Sequence, residues 1–213
     1  MATFDLIQVP TVLQMQLMGN TGAYPSPLIA SAQTIDRGGL KWSAVYSYDN
    51  ISKVKRGELF GLIASLRGQA NRIRVPVYDN PRRGAYGGTP LVNGAAQTGS
   101  SIDIKGCSNN ITDWIMSGDY FSLVVNGEHE LKMCTADASS DGAGLATISF
   151  EPRLRASPAN SAIIFVGDGV LARPQGIFHL TNSSVGWSSR PFQSTSEMSS
   201  LSIAFTEDVF ATQ

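Results

Sequence analysis

The residues whose types could do chemistry are two histidines, two cysteines and scattered serines and carboxylates. His129 lies between Glu128 and Glu130, a set able to ligate a metal or relay a proton. It follows an Asn-Gly turn directly and reads as a solvated hairpin end. His179 sits among alternating apolar residues and reads as structural. Cys107 and Cys134 cannot form a zinc site without two further ligands, and the histidines fall in other segments. They read as buried free thiols, with a disulfide between them the alternative that sequence leaves open. A serine nucleophile needs a histidine base and an orienting acid, and no serine here occupies a nucleophile elbow. Asp137 to Gly142 lacks the oxygen ladder and terminal glutamate of a calcium loop. It reads as a polar turn with Gly142 and Gly144 at positive φ. Gly84 to Gly88 precedes no helix and no Lys-Ser/Thr pair, so it is not a phosphate loop. No catalytic, cofactor-binding or metal-ligating residue is assigned, and the chain is read as a non-enzyme.

Tyr46, Tyr48, Tyr86 and Tyr120 could make a platform for sugars, but such residues read first as core or subunit contacts. Net charge is −1 over 213 residues, and the basic runs Arg82-Arg83 and Arg153 to Arg155 are short. Tight nucleic-acid binding needs clustered cations and is not expected. The basic runs read as solvated loop charges. No apolar run approaches the roughly 20 residues that span a bilayer. The start of the chain lacks signal-peptide features, so synthesis in a reducing cytosol is expected.

The elements that position these residues centre on Leu40 to Val77. Leu40, Trp42, Ala44, Tyr46 and Tyr48 alternate as a half-buried strand. Asp49, Asn50 and Ser52 are candidate caps for the one convincing helix, whose apolar stripe is Leu59, Ile63 and Leu66, widened by Phe60 and Leu62. Gly57 and Gly61 share one helix face and are read, with Trp42, as candidate subunit-packing residues that admit a close backbone. Gly68 is the expected C′ residue. Ile73, Val75 and Val77 alternate as a third strand ending near Pro76. Before this unit, residues 11–18 alternate as a strand, 19–27 read as a turn cluster, and 28–36 as a strand.

Beyond it, residues 79–100 read as a turn-rich excursion. Strands follow over Ser101–Ile104, and over Phe121–Val125 paired through Asn126-Gly127 with a return strand. Further strands are read over Leu145–Phe150 and Ala162–Val166, after a turn or single helical turn at Ile111–Met116. The last strands begin at Gly176 and Ser199. The fold class expected is mainly β: a split β-sandwich or barrel with one α-helix, plus an inserted small β-barrel domain. Residues 1–80 with 175–213 would form the first domain, and 81–174 the insertion.

The Trp42 strand feeding one helix, the Leu66-Arg67-Gly68 helix end, the Ser117 to Phe121 strand start and the Asp141-Gly142 to Arg155 segment carry a family likeness. Over Gly39 to Phe205 the chain resembles the distal tail proteins of long-tailed bacteriophages. The resemblance implies a ring, usually hexameric, between the tail tube and the tip or fibre proteins, through which DNA passes without tight binding. It implies a virion tail-tip location after assembly in the host cytoplasm, with no membrane partner. Larger members carry a carbohydrate-binding module for which this chain has little room. The alternatives are a tail-tube or head–tail subunit, or a glycan-binding β module acting near Tyr86 or Trp187.

Overall fold

The computed structural model describes residues 1–25, 31–36, 39–167, 173–189 and 198–209. Trp42, Ala44, Tyr46 and Tyr48 are buried, while the side chains between them are only partly covered, as period-two alternation requires. The fold class is mainly β with one helix, as expected.

Strands β1 (Thr3–Asp5), β2 (Val12–Met18), β3 (Thr21–Pro25), β4 (Ala32–Asp36) and β5 (Lys41–Tyr48) lead into helix α1 (Lys53–Leu66) and strand β6 (Arg72–Pro76). Next come β7 (Gly88–Val92), β8 (Ser101–Cys107), β9 (Tyr120–Val125), β10 (Glu128–Cys134), β11 (Ala146–Glu151) and β12 (Ile164–Phe165). The chain closes with β13 (Gln175–Leu180), β14 (Trp187–Ser189) and β15 (Met198–Glu207). One sheet has the order β1-β6-β13-β15-β5-β2, with β14 added on β15, and so draws on both ends of the chain. The other has the order β12-β9-β10-β11-β8-β7. Its outer strands meet at a Leu91–Ile163 bridge, leaving a nearly closed barrel. A separate ribbon pairs β3 with β4.

Helix α1 buries Leu59 and Leu66 and packs Phe60, Leu62 and Ile63 against the larger sheet. Ser52 occupies the N-cap in an extended conformation but makes no side-chain cap bond. At the other end Arg67 already enters the left-handed region, one residue before Gly68. The β9–β10 turn has positive φ at both Asn126 and Gly127, as a type I′ turn demands. No described helix is long and apolar enough to cross a membrane.

Three expectations are corrected. The stretch 19–27 contains β3, because its partner β4 supplies pairing that composition does not reveal. The stretch 79–100 contains β7, whose Pro90 and Val92 are buried in the barrel wall. Gly88 is required there: a Cβ would stand 2.2 Å from the Gly106 carbonyl oxygen. In the polar turn only Gly144 takes positive φ, at 72°; Gly142 does not.

Candidate functional site

The residues considered for chemistry do not converge. Alternation along β10 sends Glu130 into the barrel toward Lys132, and Glu128 lies 3.9 Å from Arg72. His129 is not a solvated hairpin end. Its ring packs on Phe165, and its Nε2 accepts a 3.0 Å hydrogen bond from the Gln175 amide. Burial, with Arg74 nearby, holds its pKa down at about 4. The Nδ1–H of His179 donates to the Thr206 carbonyl over 3.0 Å. Both thiols are buried and free, and burial pushes each up to about 11, which keeps them protonated at neutral pH. Among the described residues, no group of three His, Cys, Asp or Glu side chains could hold a metal ion.

The four-tyrosine platform is overturned. Tyr46, Tyr48, Tyr86 and Tyr120 are all buried. The Tyr46 hydroxyl donates to the Pro76 carbonyl, and Tyr48 to that of Gln8. Trp187 is half exposed and stacks on Phe60 with ring centroids 4.2 Å apart.

Within the chain Trp42 is a junction residue between sheet and barrel. It is 1% exposed and packs on Tyr120 of the barrel. Its backbone N–H donates to the Glu207 carboxylate over 2.8 Å. Arg155, from the barrel side, reaches the same carboxylate at 2.8 Å. Beneath lies Lys132, fully buried, with its ammonium 2.8 Å from Glu130 and donating to the Arg153 carbonyl at 2.9 Å. Burial pushes the Lys132 pKa down, and the Glu130 carboxylate opposes that shift. The run Arg153 to Arg155 is therefore not a simple solvated loop: Arg155 joins barrel to sheet. Buried ion pairs of this kind add little net stability, because desolvation offsets their attraction. Asp119 anchors the connecting strap, accepting the N–H groups of Arg83 at 2.7 Å and Gly84 at 2.9 Å. Burial alone would raise its pKa; the Tyr86 hydroxyl, with the backbone N–H groups of Arg83, Gly84 and Met116, prevails and lowers it.

What remains accessible is the sheet's rim. Strand β2 lies at one edge, bonded on one side to β5 across seven residues without a bulge. Its sequence, VLQMQLM, carries no charge and no proline. Edges are usually blunted by lysine, proline or a bulge, and this one has none of them. At its end the chain continues into the β3–β4 ribbon, where only Gly22 is partly covered among the described residues.

Gly57 and Gly61 face open space: nothing among the described residues lies within 4 Å of a Cβ built at either. No described backbone of this chain approaches them. Sequence reading passed over the ribbon, because Gly and Pro in β3 read as turn. The β2 edge carried a signal in its uncharged alternation. No family model and no curated protein matches the chain.

Proposed function

We propose that this chain is a structural subunit of a bacteriophage tail tip. Copies associate edge to edge into a closed ring that joins the tail tube to the tip or fibre proteins and continues the DNA channel. On the family resemblance, six copies close the ring. The observation that carries the reading is the unguarded seven-residue edge of β2. An edge of this kind recruits another strand. Repeated in one rotational sense, a heterologous contact closes into a ring.

The outer face of the same sheet supports a channel role. Across β2, β5 and β15 it carries Gln14, Gln16, Ser43, Ser47, Ser202 and Thr206 beside Val12, Val45 and Ala204, with Lys41 at its margin, while Arg72 and Arg74 farther along the face are paired with Asp208 and Asp5. Such a face neutralises few phosphates and holds DNA weakly. The rigid barrel–sheet junction suits a part that transmits load between tube and tip. The test is antibody against the purified chain, applied to phage particles carrying it. Label confined to the tail tip is the expected result. Label along the whole tube, at the head or nowhere on the particle contradicts the proposal.

A further inference from the structure

Asparagine is thermolabile, and most so before glycine, whose backbone is the freest to bring its nitrogen onto the side chain. The glycine nitrogen attacks the asparagine side-chain carbonyl. A bond forms between that nitrogen and Cγ, the Cγ–Nδ2 bond breaks, and the nitrogen's proton leaves with the ammonia. Water then opens the resulting succinimide ring at either carbonyl, giving aspartate or isoaspartate. Among the asparagines of this chain, Asn93 and Asn126 are the two that precede glycine.

The fold guards the two unequally. At Asn93 the backbone is tied on both sides. Its N–H donates to the Asp103 carbonyl over 2.9 Å, and its carbonyl accepts the Gln97 side-chain amide at 2.8 Å. The Gly94 N–H, which carries the attacking nitrogen, donates to Asn160 Oδ1 over 3.0 Å. Lys105 donates to the same oxygen at 3.1 Å and holds Asn160 in place. Asn126 and Gly127 instead form the exposed tip of the β9–β10 hairpin. Among the described residues, neither the Gly127 N–H nor the Asn126 side chain makes a hydrogen bond. Attack requires the backbone to leave its native conformation at either site, so the pair with fewer ties reacts first.

We propose that Asn126 is a site of spontaneous deamidation and isomerisation, and that the Asn160 side-chain oxygen protects Asn93 from the same reaction. The two products differ in consequence. Asp-Gly favours the same type I′ turn as Asn-Gly, so the aspartate form keeps the hairpin. Isoaspartate routes the main chain through the side-chain carbon and lengthens a two-residue loop by one atom. That disturbs the Val125–Glu128 pair at the head of β10. The same strand brings His129 to Gln175 and Leu131 to Trp42. Ageing at the hairpin tip therefore loosens the barrel–sheet junction, whatever the chain assembles with.

The test holds the full folded chain in mildly alkaline buffer and follows both asparagines by peptide mass mapping, with isoaspartyl methyltransferase labelling to detect the isomer. Asn126 should convert about tenfold faster than Asn93, the factor that one hydrogen bond on the attacking nitrogen supplies. Asn160→Ala should speed the conversion of Asn93 and leave that of Asn126 unchanged. Asn160→Asp keeps an acceptor there and should keep Asn93 slow. Asn126→Asp should melt with the wild type, and the isoaspartate fraction, separated by chromatography, at a lower temperature. An Asn126 that survives as long as Asn93 overturns the proposal. Conversion of Asn93 at the wild-type rate in Asn160→Ala overturns the protecting role. An isoaspartate fraction as stable as wild type overturns the effect on the junction.

Discussion

The indole N–H of Trp42 donates to the carbonyl oxygen of Leu131 over 3.0 Å, bridging 89 residues of sequence and two different sheets. Tyr120 and Leu131 of the barrel belong to the same buried cluster as Trp42, Tyr46 and Phe205 of the large sheet. The two cores therefore meet rather than sit on a loose tether. Trp42→Phe keeps most of the ring volume but leaves the Leu131 carbonyl unpaired, and is expected to cost about 1–3 kcal/mol. Trp42→Ala is expected to cost about 3–5 kcal/mol. Denaturant unfolding measures both, and a Phe variant as stable as wild type would remove the bond's importance.

The buried Lys132–Glu130 pair behaves differently from a surface ion pair. Lys132→Met leaves a carboxylate in the barrel without its ammonium, at an expected cost of about 3–5 kcal/mol. Adding Glu130→Leu to the same chain should recover much of that loss. Thermal unfolding of the two single variants and the double variant checks this. A double variant less stable than Lys132→Met would show that the pair is not the unit.

His129 sets a pH dependence whose sign follows from burial. Its folded pKa, about 4, lies below the ordinary 6.5, so the unfolded chain binds the proton more readily. Stability is full above about 6.5 and falls as pH drops toward 4. Allowing for the ring's partial access to water, the loss is of order 2 kcal/mol. His179, lowered by its own burial, adds in the same direction. His129→Gln should flatten the stability profile between those pH values, and an unchanged slope would assign it to other groups.

Gly57 and Gly61 lower helix propensity with no close contact in the described chain to require them. Gly57→Ala and Gly61→Ala should each raise stability by up to about 1 kcal/mol. Gly61→Leu should leave the isolated chain folded. Loss of assembly in that variant alone would mark the helix ridge as a subunit contact, and loss of folding would contradict the open space seen there.

Local pattern carried much of the fold. The Trp42 strand, the Leu59–Leu66 stripe of α1 and the Asn126-Gly127 hairpin each follow from period and turn chemistry within a few residues. What stayed hidden depended on distant partners. Strand β7 needs Gly88 to clear the distant Gly106 carbonyl, and β3 needs β4 to be a strand at all. The placement of Trp114 and Ile115 in the barrel core, within a stretch read as a turn, likewise depends on segments far along the chain. The tyrosines read first as core or subunit contacts, and all four are buried; the sugar platform weighed against that reading required exposed rings. The proposed assembly surface was legible only in part. An uncharged edge can be read from VLQMQLM, whereas the exposure of Gly57 and Gly61 depends on which helix face the sheet takes.

Native mass spectrometry of the purified full chain, with electron microscopy of the same sample, tests ring formation most directly. The expected result is one discrete oligomer that images as a closed, rotationally symmetric ring with a central hole. A monomer at every concentration, or open filaments without closure, would contradict it.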